Sequence, residues 1–152
     1  MTRGEILEAV KQFLSLVEQG GPAEKREKSL RLALDRLALA YHFAEAPTDD
    51  RTHPEPPRTD YQELRARIAP LFPRFGFYNA LLDITVKVGT PEVGVADAID
   101  DLTDITLDLQ EVLARWETTS EEDALFHFRF LFETHWGGHL RSLQQYLHVL
   151  AF

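Results

Sequence analysis

The spacing of apolar residues along the chain predicts about five helices. Between residues 3 and 19 the apolar positions recur at the three- and four-residue intervals of one buried helical face. Gly20-Gly21 interrupts this pattern, and Pro22 is suited to the first turn of a second helix. We expect the second helix to extend to about Ala46. Its apolar residues occupy two sides, so we expect neighbours to cover it on two sides.

The middle of the chain is predicted to be less regular. Residues 47–58 contain several prolines and no apolar period, so we expect a loop. The Thr59-Asp60 pair can cap a short helix over about residues 61–69. Residues 84–88 have the composition of a strand. No partner strand is evident, and a single strand is not stable, so we expect irregular structure there.

Two long helices are predicted at the end of the chain, one from about Val95 to Glu117 and one from Ser120 to near the C-terminus. The connection between them is so short that they should be antiparallel neighbours. The length of the chain suits one domain. The sequence therefore predicts an all-α fold in a single helical domain over residues 1–152. We expect a compact bundle of about five helices, the last two of which form an antiparallel hairpin.

Composition and charge narrow the possible functions. The chain has no cysteine, which excludes disulfides and thiolate-bound zinc. Its net charge of −9 would repel phosphate backbones and anionic lipids, so we expect no nucleic-acid partner and no membrane partner. The first fifteen residues lack the apolar core of a signal peptide, and no apolar run is long enough for a membrane span. A cytoplasmic location is therefore expected.

Acidic residues follow the fourth predicted helix at helical spacing. They are Asp97, Asp100, Asp101, Asp104, Asp108 and Glu111. At about 100° per residue, most of them point away from the main apolar face of that helix, and Asp101 lies at its border. We interpret the stripe as a solvent-exposed face, with a partner surface or a cation site as alternatives.

The most unusual segment is the aromatic and histidine-rich stretch at residues 126–140. His135 and His139 are four residues apart, so both rings can reach one ion from one helical face. The H-E-x-x-H pattern of metalloproteases is absent. The favoured interpretation is a hydrogen-bonded structural pair. The alternative is a divalent metal site that Asp101 or Asp104 completes.

The same segment contains Arg129, Glu133 and Trp136, which we expect to form a structural polar constellation. Arg129 precedes Glu133 by four residues, and on a helix a cation before an anion is less favourable than an anion before a cation. We therefore expect Arg129 to bind Asp101 or Asp104 across the helical hairpin, as a buried pair. The double glycine at 137–138 is costly within a helix, which indicates a close backbone approach or room for a ligand.

Two segments, at residues 95–110 and 128–140, resemble a family of short bacterial all-helical proteins of unknown function. The first carries an Asp-Asp-Leu-x-Asp-Ile-x-x-Asp-Leu pattern, and the second ends in His-Trp-Gly-x-His. The residues on these patterns are Asp100, Asp101, Asp104, Asp108, Arg129, His135, Trp136, Gly137 and His139. The resemblance implies a helical fold and one cross-helix constellation of acids, arginine and histidines. It implies no activity.

The sequence thus favours a non-enzymatic module that works through a protein partner or self-association, possibly as a homodimer. This prediction depends on the excess of apolar surface on helices that are apolar on two sides. It assigns no catalytic residue and no cofactor. The alternative function is a metal-binding protein or metal-dependent hydrolase, in which His135 and His139 act with an aspartate of the fourth helix.

Overall fold

Helices form most of the regular structure in residues 1–45 and 47–152, which this computed structural model describes. The elements are α1 (Arg3–Gln19), α2 (Arg26–Tyr41), α3 (Tyr61–Ile68), β1 (Phe77–Leu81), β2 (Val93–Asp97), α4 (Ala98–Thr118), α5 (Glu121–Leu131) and α6 (Gly137–Ala151). A π-helical turn at Phe132–Trp136 joins α5 to α6, and short 3₁₀ turns lie at Ala23–Lys25 and Ala69–Leu71. None of these helices is both long and apolar enough to cross a membrane.

The bundle has α4 at its centre, where it packs against α1, α3, α5 and α6. Only Thr119 and Ser120 separate α4 from α5, and the predicted helical hairpin is confirmed. The Ser120 hydroxyl accepts a hydrogen bond from the Asp123 amide and caps α5. Because neighbours surround α4, residues on several of its sides are buried, including aspartates. The predicted class, a compact helical bundle, is therefore correct.

Several predicted boundaries are wrong. Helix α2 ends at Tyr41, and the expected end at Ala46 lies outside the described residues. Residues 93–97, partly assigned to the fourth helix, form strand β2, and Asp97 caps α4 instead. The sequence predicted no pair of strands in this part of the chain. In the structure β2 pairs with β1, with Phe77 opposite Asp97 and Leu81 opposite Val93. The strand-like segment 84–88 is irregular as expected, because it forms the loop between these strands.

Gly137 is required by the π-helical turn. Its amide donates a hydrogen bond to the Phe132 carbonyl, five residues earlier. A Cβ at this position would overlap that carbonyl oxygen and lie 3.0 Å from the Phe132 ring carbon Cγ. The close backbone approach predicted at the double glycine is therefore made by the preceding turn of the same segment. This turn carries His135, and α6 carries His139.

Candidate functional site

Carboxylates of α4 meet two imidazoles where α4 packs against α6. We call this group the acid–histidine seam, and it consists of Asp100, Asp101, Asp104, Asp108, His135 and His139. Asp101 and Asp108 are 4% and 1% exposed. The prediction that the acidic stripe is exposed to solvent is therefore wrong for Asp108, and Asp101, predicted at the border of the apolar face, is buried as well. The side of α4 that the helical wheel assigned to solvent is covered by the π-helical turn and α6.

Each imidazole of the seam is held by one buried carboxylate. The His135 Nδ1 atom lies 2.6 Å from Asp108 Oδ2, and the His139 Nδ1 atom lies 2.7 Å from Asp101 Oδ1. In both pairs the Nδ1–H donates to the carboxylate, which fixes the ring orientation. The two Nε2 atoms are consequently the ring nitrogens that remain for a metal ligand or a proton.

Asp104 lies between the two histidines. Its Oδ2 atom is 3.4 Å from His139 Nε2. Asp104, His135 and His139 each offer one ligand atom, and these atoms lie within 4.8 Å of one another. Two imidazoles and one carboxylate form the ligand set of open catalytic metal sites. Asp100, Asp101 and His139 form a second group of this size, but Asp101 already accepts from the His139 Nδ1 atom.

Hydrogen bonds from other elements surround the seam. The hydroxyl of Tyr78 on β1 donates to Asp101, and that of Tyr61 on α3 donates to Asp100. Arg58, from the loop before α3, reaches Asp108 at 3.1 Å and Glu111 at 2.6 Å. Arg65 of α3 binds Asp97 at 2.6 Å. Among the described residues, Asp104 is the one carboxylate of the stripe that receives no side-chain hydrogen bond.

Burial and closely spaced carboxylates shift the pKa values of the seam. Burial raises the pKa of Asp104 above its ordinary value, and the neighbouring charge of Asp100 raises it further. The hydrogen bond to Asp101 raises the pKa of His139, and the charges of Asp101 and Asp104 act in the same direction. Burial and the Asp100 carboxylate raise the pKa of Tyr61 to about 12, so this phenol stays a donor. The four carboxylates of the seam therefore outnumber its two imidazoles.

Arg129 is not part of the seam, contrary to the sequence prediction. Its Nη2 atom lies 3.6 Å from Glu133 Oε1, four residues along the same segment. The guanidinium sits over the ring of Tyr41 at 5.8 Å, and the Tyr41 hydroxyl donates to Glu133 at 2.8 Å. Since Tyr41 belongs to α2, this side of α5 faces α2 and points away from the aspartates of α4. Its side chain is 41% exposed, so the expected burial is wrong as well.

Trp136, the third member of the expected constellation, is fully buried and packs against Phe128 and Phe132. Its indole nitrogen donates to the Phe128 carbonyl at 3.3 Å. It is therefore a core residue with one satisfied polar atom. The observed polar group is Arg129, Glu133 and Tyr41, away from the histidines.

The structure brings together three of the four predicted metal candidates, Asp104, His135 and His139. The fourth, Asp101, lies behind His139 on its Nδ1 side. Sequence reasoning placed Asp108 on the solvent side and gave it no role. The spacing of 101, 104 and 108 would have revealed it, because residues three and four apart share one helical face.

Residues 3–152 match the model of a protein family described as a domain of unknown function, DUF5063. The chain belongs to this family, which confirms the resemblance to a family without an assigned function. The crystal structure of protein BF1032 from Bacteroides fragilis has a similar fold, with a TM-score of 0.67. The alignment covers 97% of this chain and 90% of that chain at 19% identity, so the likeness concerns the fold alone. No curated protein matches the chain in sequence.

Proposed function

We propose that this member of the DUF5063 family binds a divalent transition-metal ion through Asp104, His135 and His139. One observation carries the proposal: each histidine has its Nδ1 atom held by a buried aspartate and its Nε2 atom left for a ligand. Metal-binding histidines almost always donate their second nitrogen to a carboxylate or a carbonyl, which orients the ring and raises its basicity. In this site Asp108 and Asp101 have that outer role.

A purely structural role of the two histidines is the competing interpretation. Two His–Asp pairs would need only Asp101 and Asp108 as partners. The site contains a third carboxylate, Asp104, close to both rings and without a hydrogen-bond donor of its own. A bound cation would offset the repulsion between Asp104 and Asp100, which raises the pKa of Asp104. A protonated His139 would also pair with Asp104 at 3.4 Å, but a metal ion would engage Asp104 and both imidazoles at once.

The chemistry of the ligands limits the choice of ion. Two imidazole nitrogens favour zinc, iron or nickel over magnesium and calcium, which prefer oxygen ligands. Three protein ligands leave at least one coordination position open, and His135 is partly exposed to solvent. When bound, such an ion acts as a Lewis acid and lowers the pKa of a coordinated water. This chemistry would suit a metal-dependent hydrolase, with His139 positioned by Asp101 and His135 by Asp108.

Equilibrium dialysis with elemental analysis tests the proposal on protein produced without an affinity tag and stripped with a chelator. We expect about one zinc or iron ion per chain. His139→Gln and Asp104→Asn should each lose most of the binding. Asp108→Asn should weaken it by about 10–100-fold, as is usual for an outer partner of a ligand.

The matched control is His148→Gln, because His148 is an exposed histidine on the same helix, near its C-terminal end. It should bind the ion as the parent protein does. No stoichiometric ion on the parent protein, or equal binding by the parent and His139→Gln, would reject the site. Protein association, which the sequence favours, has its support in a different region, the β-hairpin.

A further inference from the structure

The hairpin formed by β1 and β2 carries apolar side chains on the face that points away from the bundle. Tyr78 of β1 faces inward, because its ring packs against Tyr146 of α6 and its hydroxyl binds Asp101. Side chains alternate along a strand, so Phe77 and Val95 face outward. They are 76% and 79% exposed.

The loop between the strands adds further exposed apolar side chains. It is ordered by local bonds: the Asp83 carboxylate accepts hydrogen bonds from the amides of Thr85 and Val86. Eight large apolar residues of the hairpin are exposed by about half or more. They are Phe77, Leu81, Leu82, Ile84, Val86, Val88, Val93 and Val95. Leu82 lies against Gly94 on the inward side, and Ile84 lines a cleft between the hairpin and α6. We call the surface formed by the other six residues the hairpin patch.

The hairpin patch is large enough for a specific interface. A typical monomer rarely exposes a continuous apolar patch above roughly 300–600 Å². A standard interface removes about 800 Å² from each partner. The six apolar side chains of the hairpin patch, each exposed by about half or more, supply a substantial part of that area. Their burial against a partner would remove apolar surface from water, which is favourable.

The charges of the hairpin favour a second copy of this chain over other occupants. Residues 77–95 contain only three charged side chains, Asp83, Lys87 and Glu92, and Lys87 binds Glu92 at 3.0 Å. The net charge of −9 is therefore carried almost entirely by the rest of the molecule. Two copies can meet here without the repulsion that their other surfaces would cause. An anionic membrane, in contrast, would be repelled by the whole chain.

We propose that the chain forms a homodimer in which the hairpin patch docks on the hairpin patch of a second copy. A two-fold contact requires a self-complementary surface. The hairpin patch meets this requirement, because it is apolar at its centre and has charges of both signs in its loop. This dimer is independent of metal binding, since its residues are different from Asp104, His135 and His139.

Sedimentation equilibrium over a wide range of protein concentration measures the proposed dimer. Phe77→Asp and Val95→Glu each place a charge in the contact, and we expect the dimer dissociation constant to rise about 30-fold or more, as at an interface hot spot. The control is Leu39→Glu, which changes an exposed apolar residue on α2. It should dimerise as the parent does. Circular dichroism should report the same helix content in all of these variants.

A second measurement locates the interface without a destabilising change. The chain has no cysteine, so Asn79→Cys and Leu39→Cys each carry a single spin label. Because Asn79 lies in β1 between the outward residues Phe77 and Leu81, its labels should be close together in the dimer, and those at position 39 should be far apart. A parent protein that is monomeric at every concentration overturns the proposal. So does a dimer that Leu39→Glu dissociates and Val95→Glu does not.

Discussion

The acid–histidine seam and the hairpin patch reverse the usual distribution of side chains in opposite ways. The seam buries carboxylates between helices, whereas the patch exposes apolar residues to solvent. The two regions differ in the partners that the rest of the molecule supplies to them. Nearly all charges of the seam have hydrogen-bond partners in the same molecule, and the remaining carboxylate, Asp104, is the one for which we propose a metal ion. The hairpin patch lacks a cover within the described residues, and a whole surface is needed to supply one.

The comparison predicts that small changes in the seam will be costly and that changes in the hairpin patch will be tolerated. The largest effect is expected for Gly137→Ala, because the new methyl group would overlap the Phe132 carbonyl. We expect a loss of about 3 kcal/mol in the free energy of unfolding. Urea denaturation measures it. Gly138→Ala is the control, since nothing lies near a Cβ at that position. Equal losses in both variants would contradict the role of the π-helical turn.

The next largest effect is expected for Asp101→Ala, which leaves His139 and the Tyr78 hydroxyl without their acceptor. We expect a loss of about 2 kcal/mol in the free energy of unfolding. The loss is smaller than for most broken buried ion pairs, because His139 can release its proton. Thermal unfolding of chelator-treated protein measures it. A melting temperature equal to that of the parent would show that the seam does not contribute to stability.

The pH dependence of the metal-free protein gives a smaller effect with a defined sign. His139 is flanked by Asp100, Asp101 and Asp104, and its folded pKa is raised, chiefly by the hydrogen bond to Asp101. A raised pKa means that its contribution is fully present below the unfolded pKa and is lost as the pH rises through the folded pKa. Stability should therefore decrease as the pH rises above the unfolded histidine pKa of about 6.5. Denaturant titrations at several pH values measure this slope, which Asp101→Asn should reduce.

Arg129→Ala should have a modest effect, because the guanidinium is partly exposed and its ion pair with Glu133 is long. We expect a loss of about 1 kcal/mol or less, including the contact with the Tyr41 ring. Urea denaturation of this variant and of Arg141→Ala, another exposed arginine, supplies the comparison. A loss as large as that of Asp101→Ala would contradict the exposed position of Arg129 and favour the buried ion pair that the sequence predicted.

The smallest effect on the monomer is expected in the hairpin patch. Val88→Ser removes an apolar side chain that is 85% exposed. At protein concentrations below the dimer dissociation constant, the free energy of unfolding should change by no more than about 0.5 kcal/mol. Chemical denaturation of dilute protein provides the measurement. A loss above that value would mean that the loop packs against the bundle rather than against a partner.

The sequence determined the helices whose apolar residues keep a clear period. Helix α1 buries Ile6, Val10, Phe13, Leu14 and Val17, which lie on the apolar face that its period predicts. The short connection between α4 and α5 fixed their antiparallel arrangement. These features depend on neighbours in the chain, so local spacing is sufficient to predict them. The same reasoning found the two histidines as a pair that could act together. It also found Gly137 as a position with a special backbone requirement.

Tertiary structure decided which side of α4 is covered, and with it the composition of the candidate site. A helical wheel assigns one buried side to a helix, but α4 has neighbours on several sides. Asp108, which the wheel placed on the solvent side, and Asp101, which it placed at the border, are therefore both buried. The same limit explains Arg129, whose partner depends on whether α2 or α4 lies opposite. The β-hairpin was also missed, because strand pairing joins residues that are distant in the chain. Local periodicity carries no information on such contacts, and only the packed molecule fixes them.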